Sequence, residues 1–542
     1  MKPFYSSLDQ KSNMARSEDQ RALHDNEERA SGNGGGSQVT GTLLFSIFSA
    51  VSCTGLSFGF NTGVLNNPSE HIKDFFNRAK TERSGEPFSD TGLTWFWSSC
   101  VAIWTLFAIV GCFVGGAMTS KFGRKRTMLL NNVFMVIGTL FQSCSKYANS
   151  YEMFFIGRLV MGIQSGICTS AGPMYLSEIA PKNIRGGVGV VFQLTCVLGI
   201  LGSQILGFEA ILGGADLWPI LINMNLVLGF IQWVTLPFCP SSPRFLLVSR
   251  EDREGARAAL ARLRGQSANI EEEMNEIIEE DRKEKSEPPV SWGDLIRIDY
   301  LRRPLIISCV LAMSQQLSGI NAVNYFSSPI FNATLPQDKV DSDPDFPKYM
   351  VAVTGSVNLV ITGVSVFTVD RLGRKLSHLV GLGGMAVCAL LIGIFLSGLV
   401  IDNQTCHGLT PTKTTNDIAI VLIFVYVGFF SIGPGAIPWL IAPELFTSSP
   451  RPKAMAIANT TNWLCNFMIA LAFDPIRQEL CGWVFLIFFT LLVIFIGYLS
   501  VKMPNVEGKS ASEIVQMFKD RPFGEETVPI ISPTSMRDES KA

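Results

Sequence analysis

Apolar runs close to the length that crosses a bilayer as a helix recur at about 43–65, 95–119, 127–145, 153–175, 187–208 and 217–239. A polar stretch, 240–302, interrupts them, and a second set follows at about 304–326, 349–369, 376–400, 418–442, 453–473 and 482–502. Six runs, a long polar break and six more predict an all-α membrane protein built from two related halves. The chain then divides into a tail (1–42), a first six-helix half (43–239), a polar loop (240–302), a second half (303–502) and a second tail (503–542). Within the loop, 254–263 has helical character. The alternating charges of 271–287 read as a solvated helical face, with docking against the ends of both halves as the alternative.

Composition agrees with this class. Only 17% of the 542 residues are charged, there are 38 Phe, and mean hydropathy is +0.28. A net charge of −2 gives no case for nucleic acid as a partner. The 12 Cys are mostly scattered through apolar runs without a CxxC pair, and the 4 His are not grouped, so no metal site or disulfide frame is expected. No Ser/His/Asp set or phosphate loop suggests an enzyme or a cofactor. The first 40 or so residues are polar and end in Gly34-Gly35-Gly36-Ser37, which describes a flexible cytosolic tail rather than a cleaved signal peptide.

Orientation follows from the short loops. One side carries Lys121, Arg124, Lys125, Arg126, Lys182, Arg185, Arg371, Arg374, Lys375, Arg451 and Lys453; the other carries Lys146, Lys339, Lys348, Lys413 and Arg477. Lys73, Arg78, Lys80 and Arg83 in the first outward loop run against the trend but are offset by acids. Both termini and the central loop are therefore expected in the cytosol.

One stretch inside the seventh run carries candidate chemistry: Gln315-Gln316-Leu317-Ser318-Gly319-Ile320-Asn321-Ala322-Val323-Asn324. An unpaired polar group in hydrocarbon costs several kcal/mol. On an ideal helix Gln316, Asn321 and Asn324 fall within roughly 140° of one another while Gln315 points elsewhere. Ser318-Gly319 would let the helix unwind, as is tolerated where backbone lines a cavity. Such amides either join neighbouring helices or bind a neutral ligand rich in hydroxyls; four of them around a glycine favour the ligand.

Two motifs repeat. Phe122-Gly123-Arg124-Lys125 returns 250 residues later as Leu372-Gly373-Arg374-Lys375, and the spacing of Glu178 and Arg185 returns 266 residues later as Glu444 and Arg451. Gly-Arg-Lys makes a tight turn with cations at the membrane face. The Glu and Arg residues suit ion pairs that hold one gate shut and break when it opens. Gly433-Pro434-Gly435-Ala436-Ile437-Pro438-Trp439 cannot form a regular helix and reads equally as a packing kink or as a hinge beside a cavity. Further polar positions within spans are Asn61, Gln193, Asn358, Asn462 and Asn466. The first span has no Asp or Glu, and a proton-driven carrier needs a titratable carboxylate near its cavity.

From about 43 to 520 the chain resembles the sugar porters of the major facilitator superfamily, and within them the animal facilitative glucose transporters. The resemblance rests on Gln315-Gln316-Leu317-Ser318-Gly319-Ile320-Asn321, Gly433-Pro434-Gly435 to Pro438-Trp439, Pro450-Arg451-Pro452, Pro243-Arg244-Phe245-Leu246-Leu247 and both Gly-Arg-Lys turns. It implies twelve transmembrane helices in a major facilitator fold, a plasma-membrane location, and alternating access of two halves to a central hexose site. By the same resemblance, Gln193, Gln315, Gln316, Asn321, Asn358 and Asn462 would hydrogen-bond the sugar. Trp439 would offer a flat face, with Phe58, Ile200, Phe430 and Asn466 nearby. The cytosolic gate would comprise Arg124, Glu178, Arg185, Arg244, Asp370, Arg374, Glu444 and Arg451. Proton-coupled relatives carry Asp at the position of Asn61, so the Asn resembles the uniporters.

Departures are specific. Ser431 and Ser242 each stand where the pattern has Glu, Ala312-Met313-Ser314 replaces Gln-Leu-Ser, and Pro504-Asn505-Val506-Glu507-Gly508 replaces Pro-Glu-Thr-Lys-Gly. Two gate partners are thereby expected to be missing, and the choice between glucose and fructose is left open. Sequons at Asn332 and Asn403 fall in loops placed outside, whereas the one at Asn459 lies in a span. A passive hexose carrier is the leading expectation, with a proton–sugar symporter and a non-transporting sugar receptor as alternatives. No obligatory protein partner is implied, because one chain holds both halves; the bilayer and a small hexose are the expected partners.

Overall fold

The computed structural model describes residues 39–181, 184–265, 269–286, 290–334, 345–397, 413–447, 449–506, 509 and 511–520. Every regular element among them is a helix. Twelve helices or helix pairs run back and forth. The first half holds α1 (Gly41–Gly63), α2 (Asp90–Phe122), α3 (Arg124–Cys144), α4 (Tyr151–Ile179), α5 (Arg185–Leu206) and α6 (Trp218–Thr235). The second holds α7a (Asp299–Gln316) with α7b (Ile320–Thr334), α8 (Phe346–Leu372), α9 (Arg374–Ser397), α10a (Lys413–Ile432) with α10b (Ile437–Glu444), α11 (Arg451–Leu480) and α12 (Val484–Lys502). Nine spans among the described residues are long and apolar enough to cross a membrane by themselves, and Val190–Leu206 of α5 forms a shorter apolar helix.

With an even number of spans, α1 begins and α12 ends on one side, together with the loop helices Arg253–Arg264 and Ile270–Ser286; this is termed the terminal side. The opposite, far side carries the helix Ser69–Ser84, whose apolar face buries Ile72, Phe75, Phe76 and Ala79 under the ends of α2, α4 and α6.

The repeated Gly-Arg-Lys turn divides its work among three residues. Gly123 and Gly373 adopt φ of +82° and +78°, the left-handed region that lets one helix stop and the next start without a loop. The Arg reaches a Glu of its own half, Arg124 to Glu178 at 2.6 Å and Arg374 to Glu444. The Lys caps the end of that half's last helix. Lys125 donates to the Pro237 and Cys239 carbonyls at 2.8 and 2.6 Å, and Lys375 to those of Ser500 and Met503 at 2.8 and 2.7 Å. A helix ends with carbonyls that have no helical donor, and the lysines satisfy some of them. The repeat thus fastens the ends of each six-helix bundle.

The two halves meet with α2 against α11, α5 against α8 and α1 beside α7b. Hydrogen bonds across this seam cluster on the far side. Asn66 Nδ2 donates to the Asn324 carbonyl at 3.1 Å, the Ser328 N–H donates to Asn66 Oδ1 at 3.0 Å, and the Ser328 hydroxyl donates to Asn67 Oδ1 at 3.1 Å. Lys348 pairs with Glu209 at 2.9 Å. Deeper in the bilayer, Phe58 and Trp104 of the first half meet Trp463 and Tyr325 of the second, with ring centroids 5.8–6.4 Å apart.

Gly319, between α7a and α7b, has φ of +90°, and a Cβ there would lie 2.6 Å from the Phe488 ring. Gly319→Val combines left-handed strain with overlap, so its melting temperature in detergent is expected to fall by the equivalent of about 2–5 kcal/mol. Gly497→Ala, in open space on α12, is expected to be neutral or stabilising by less than about 1 kcal/mol. Equal melting of the two variants would contradict this account of the turn.

Candidate functional site

The two helix breaks face each other. Pro438 has no N–H, so the Pro434 carbonyl one turn earlier lacks its helical donor, and Gly433-Pro434-Gly435 leaves neighbouring carbonyls outside the ladder. Gln315, at the end of α7a, supplies what is missing: its Nε2 donates to the Pro434 and Gly435 carbonyls at 2.9 and 2.8 Å.

From there five carboxamides form one chain. Asn462 Nδ2 donates to Gln315 Oε1 at 2.8 Å, and Gln316 Nε2 donates to Asn462 Oδ1 at 2.8 Å. Asn321 Nδ2 donates to Gln316 Oε1, and Asn324 Nδ2 to Asn321 Oδ1 at 3.5 Å. All five side chains are less than a tenth exposed. The expected unwinding at Ser318-Gly319 is present. It is Asn462, entering from α11, that ties Gln315 to the others.

The remaining sequence-predicted residues surround this chain to different degrees. Asn358 of α8 accepts from Ser431 Oγ at 2.8 Å and from Thr362 Oγ1 at 3.2 Å. Asn466 Oδ1 accepts from the Tyr325 hydroxyl at 3.0 Å. Trp439, 39% exposed, lines an open cleft with Asn462, Ser308, Ala312, Met455 and Asn459. That shallow cleft, formed by α7, α10 and α11, runs from Asn462 of the amide chain toward the terminal side. Phe430 packs beside Gly435, where an added Cβ would lie 3.3 Å from its ring. Phe58 stacks on Trp104 and meets Trp463 edge-on. Gln193 and Ile200 share a face of α5, seven residues apart. Ile200 is buried against Gly63, while half-buried Gln193 has no hydrogen bond to the amide chain. The structure therefore gathers the amides of the second half and leaves Gln193 separate.

Sequence reasoning counted Asn324 among the four amides of the candidate ligand site but not among the sugar contacts implied by the resemblance, and gave no sign that Trp104 and Tyr325 would meet Trp463. Asn324 was visible as a fourth amide in the same stretch; the aromatic contacts are long-range and left no local signal.

Of the residues expected at the gate, Arg124 with Glu178 and Arg374 with Glu444 pair inside their own halves. Beyond the two Arg–Glu pairs, Arg244 lies 3.7 Å from Glu280 of the charged loop helix, and Arg451 donates to the Phe446 carbonyl at 2.9 and 3.2 Å. The side chains of Arg185, Asp370 and Asn332, and all of Asn403, lie outside the described residues. Ser242, which stands where the resemblance has Glu, bonds to Glu178. Its hydroxyl donates to Glu178 and accepts the Phe245 N–H at 3.1 Å. A short neutral side chain reaches the carboxylate directly, where a second carboxylate would be repelled.

Ionisable groups are scarce near the cavity. Asn61 is bonded to the Ser57 carbonyl at 2.8 Å and to Asn225 Oδ1 at 3.1 Å. Arg158 is buried, donates to the Cys100 carbonyl at 3.2 Å and lies 5.2 Å from the Trp104 ring. No carboxylate pairs with it among the described residues, and its Nη1 has no partner.

The model of the family described as "Sugar (and other) transporter" matches residues 47–518. The facilitated glucose transporter member 3 of solute carrier family 2 from Homo sapiens is 40% identical over 490 residues, covering 90% of this chain and 95% of that protein. Member 1 from Gallus gallus is 40% identical over 485 residues, covering 89% and 95%. Among solved structures, the xylose transporter XylE from E. coli in a partially occluded inward-open conformation superposes with a TM-score of 0.70 at 22% identity, covering 86% of this chain and 99% of that one. That likeness carries the major facilitator architecture alone. Matched over nearly its whole length on both counts, the chain belongs to the sugar transporter family, among the facilitated glucose transporters of solute carrier family 2.

Proposed function

We propose that the protein is a facilitative carrier that moves D-glucose or a closely similar hexose, fructose included, down its gradient by alternating access. The observation that carries this reading is the chain of five uncharged amides, buried where two helices break and continuous with a cleft reaching one membrane face. Uncharged amide groups suit a neutral polyhydroxyl solute. Gln193, Gln315, Gln316, Asn321, Asn358, Asn462 and Asn466 are proposed to contact the sugar. Trp439 offers an apolar face, and Phe58, Ile200 and Phe430 complete the wall. Asn61 and the unpaired Arg158 favour uniport, because no carboxylate stands beside either to carry a proton through the cycle. The names of the relatives support the substrate class.

The terminal side is assigned to the cytosol of a plasma-membrane protein from the lysines and arginines of its short loops. The proposed organisation keeps tails 1–42 and 503–542 and the helical loop 240–302 on that side, with Asn332 and Asn403 as outward glycan acceptors. The cross-half contacts on the far side then describe an inward-facing state. In the outward-facing state Arg124, Glu178, Arg185, Arg244, Asp370, Arg374, Glu444 and Arg451 would close the cytosolic side. A difference of a few kcal/mol between the two sets of contacts is enough to set the balance.

Purified protein in liposomes is expected to take up D-glucose saturably, not L-glucose, to stop at equal concentrations, and to ignore an imposed proton gradient. Accumulation above equilibrium driven by protons would refute uniport; sugar binding without uptake would point to a receptor. Asn462→Leu strands both Gln315 Oε1 and Gln316 Nε2. With roughly 1–3 kcal/mol for each buried group left unpaired, hexose affinity is expected to drop at least about tenfold. Ser242→Glu sets a carboxylate against Glu178, far from the sugar. It is expected to change the maximal exchange rate severalfold with little effect on apparent affinity, and unchanged kinetics would count against a gate role for Ser242.

A further inference from the structure

The α5–α8 part of the seam closes through two consecutive residues of each half. Phe208 and Glu209 follow α5, while Lys348 and Tyr349 lie in the first turn of α8. The Phe208 and Tyr349 rings meet edge-on with centroids 5.2 Å apart, and beside them Lys348 Nζ lies 2.9 Å from Glu209 Oε2. Both contacts sit on the far side, where α1 bonds to α7b and the Gln478 amide of α11 donates to the Thr94 hydroxyl of α2 at 3.0 Å. Those hydrogen bonds join neutral groups, whereas the α5–α8 contact joins opposite charges.

The local backbone presents Glu209 for this contact. The N–H groups of Ile211, Leu212 and Gly213 all turn back to the Phe208 carbonyl, at 2.9, 3.1 and 2.9 Å. Gly213 packs so closely on the Gly207 carbonyl that a side chain there would collide with it. The chain therefore doubles back directly after α5, and Glu209 is fixed at the head of the turn.

Each charge of the pair also has a neighbour in its own half. Glu209 Oε1 lies 3.6 Å from His71 Nε2 on the helix Ser69–Ser84, and Lys348 Nζ lies 2.8 Å from Asp345 Oδ1. Asp345 precedes α8, where a negative charge suits the helix N-terminus and its carbonyl accepts the Tyr349 N–H at 3.1 Å. The Lys348 side chain is 13% exposed and that of Glu209 45%. A cation as covered as Lys348 would be costly to leave without a counter-charge, and Asp345 moves with it. The pair can thus part with the halves and strand neither side chain.

We propose that Glu209 and Lys348 form an outer latch, an ion pair that holds the far side shut while the cavity opens to the terminal side and that hands its charges to His71 and Asp345 when the halves part. This rests on the carrier reading above, in which the far side faces outward. Both are positioning residues, acting on the balance between two states without touching the sugar. An ion pair of this exposure is expected to shift that balance about threefold.

The test uses the full chain as wild type, Glu209→Gln, Lys348→Met, the double variant and Lys348→Arg, in sealed cells without sugar uptake of their own. External maltose competes with trace labelled D-glucose; it presents a glucose unit but is too large to be carried, so from outside it meets the outward-facing state. Each neutralised variant is expected to need about threefold less maltose for half-inhibition, because a weaker latch populates that state. Lys348→Arg, which keeps the charge, is expected to match the wild type. The double variant is expected to shift about threefold as well rather than about ninefold, since either change already breaks the pair. Hydrogen exchange of the same proteins in nanodiscs without sugar is expected to quicken at the amides of 209–213 and to slow at those of 437–444, where the terminal side closes.

Unchanged maltose inhibition in both single variants, a rise instead of a fall, or additive shifts in the double variant would each overturn the latch. Faster exchange at 209–213 with no slowing at 437–444 would mean local loosening and overturn it too. Failure of the wild-type protein to take up any hexose is seen first and defeats the function itself, and the exchange measurement, which needs no sugar, still judges the latch. Glucose uptake together with any of the overturning outcomes defeats this inference and leaves the carrier standing.

Discussion

Much of the second half depends on one contact, that between the Gln315 amide and the two carbonyls left bare by the break in α10. A bilayer core offers no water to satisfy a broken helix, so a carbonyl that loses its donor must find another or cost several kcal/mol. Pro438 removes the donor for Pro434, and Gln315 restores it from a neighbouring helix. Both partners are themselves at breaks, since α7a stops one residue after Gln315. Two irregular helices therefore stabilise each other, and neither break can be regularised without stranding the other. The same geometry orients every amide that follows and keeps polar groups at membrane depth without any charge.

The seam between the halves is uneven in a way that fits a two-state device. On the far side, amides of the α1 terminus grip α7b, and beneath them Phe58, Trp104, Trp463 and Tyr325 interleave. On the terminal side, the strongest charged contacts run within each half, Arg124 with Glu178 and Arg374 with Glu444. The bundle-fastening lysines of the Gly-Arg-Lys turns never cross the seam in this state. Each half is thus tied into a rigid body, and the cross-half hydrogen bonds traced among the described residues gather on the far side. Rocking about the centre exchanges one set of seam contacts for another while the bundles stay whole.

Much of this was legible in the sequence because membrane depth turns ordinary signals into strong ones. Twelve apolar runs, a repeated turn and a cluster of amides beside Gly319 have few alternative meanings in hydrocarbon. Helix limits moved, as with α2, which starts at Asp90 rather than near 95 because Ser89 caps it. What the sequence withheld was partnership. Asn462 is one asparagine among several in polar α11, and only the crossing with α7 makes it the link between Gln315 and Gln316. Ser242 looked like a lost carboxylate, yet its hydroxyl reaches Glu178 because the 240–245 segment folds back over the end of α4. The aromatic cluster was beyond reach for the same reason, since its contacts between the halves join residues more than 200 positions apart on faces that periodicity alone does not orient.

The two serines that stand where the resemblance has glutamates each donate a hydrogen bond to a neighbouring side-chain oxygen. The single proton of the Ser431 hydroxyl lies between two acceptors, Asn358 Oδ1 at 2.8 Å and the Val427 carbonyl one turn back at 3.0 Å, so it needs no charge partner. A glutamate there would bring an acceptor to an acceptor, and Asn358 would have to turn its NH2 toward it. With serine, Asn358 is held by its oxygen, which accepts from both Ser431 and Thr362. Ser242 acts alike toward Glu178, as a small donor to an oxygen already present. In both places a hydroxyl donates to an oxygen already present, and beside Asn358 this keeps the polar contact uncharged.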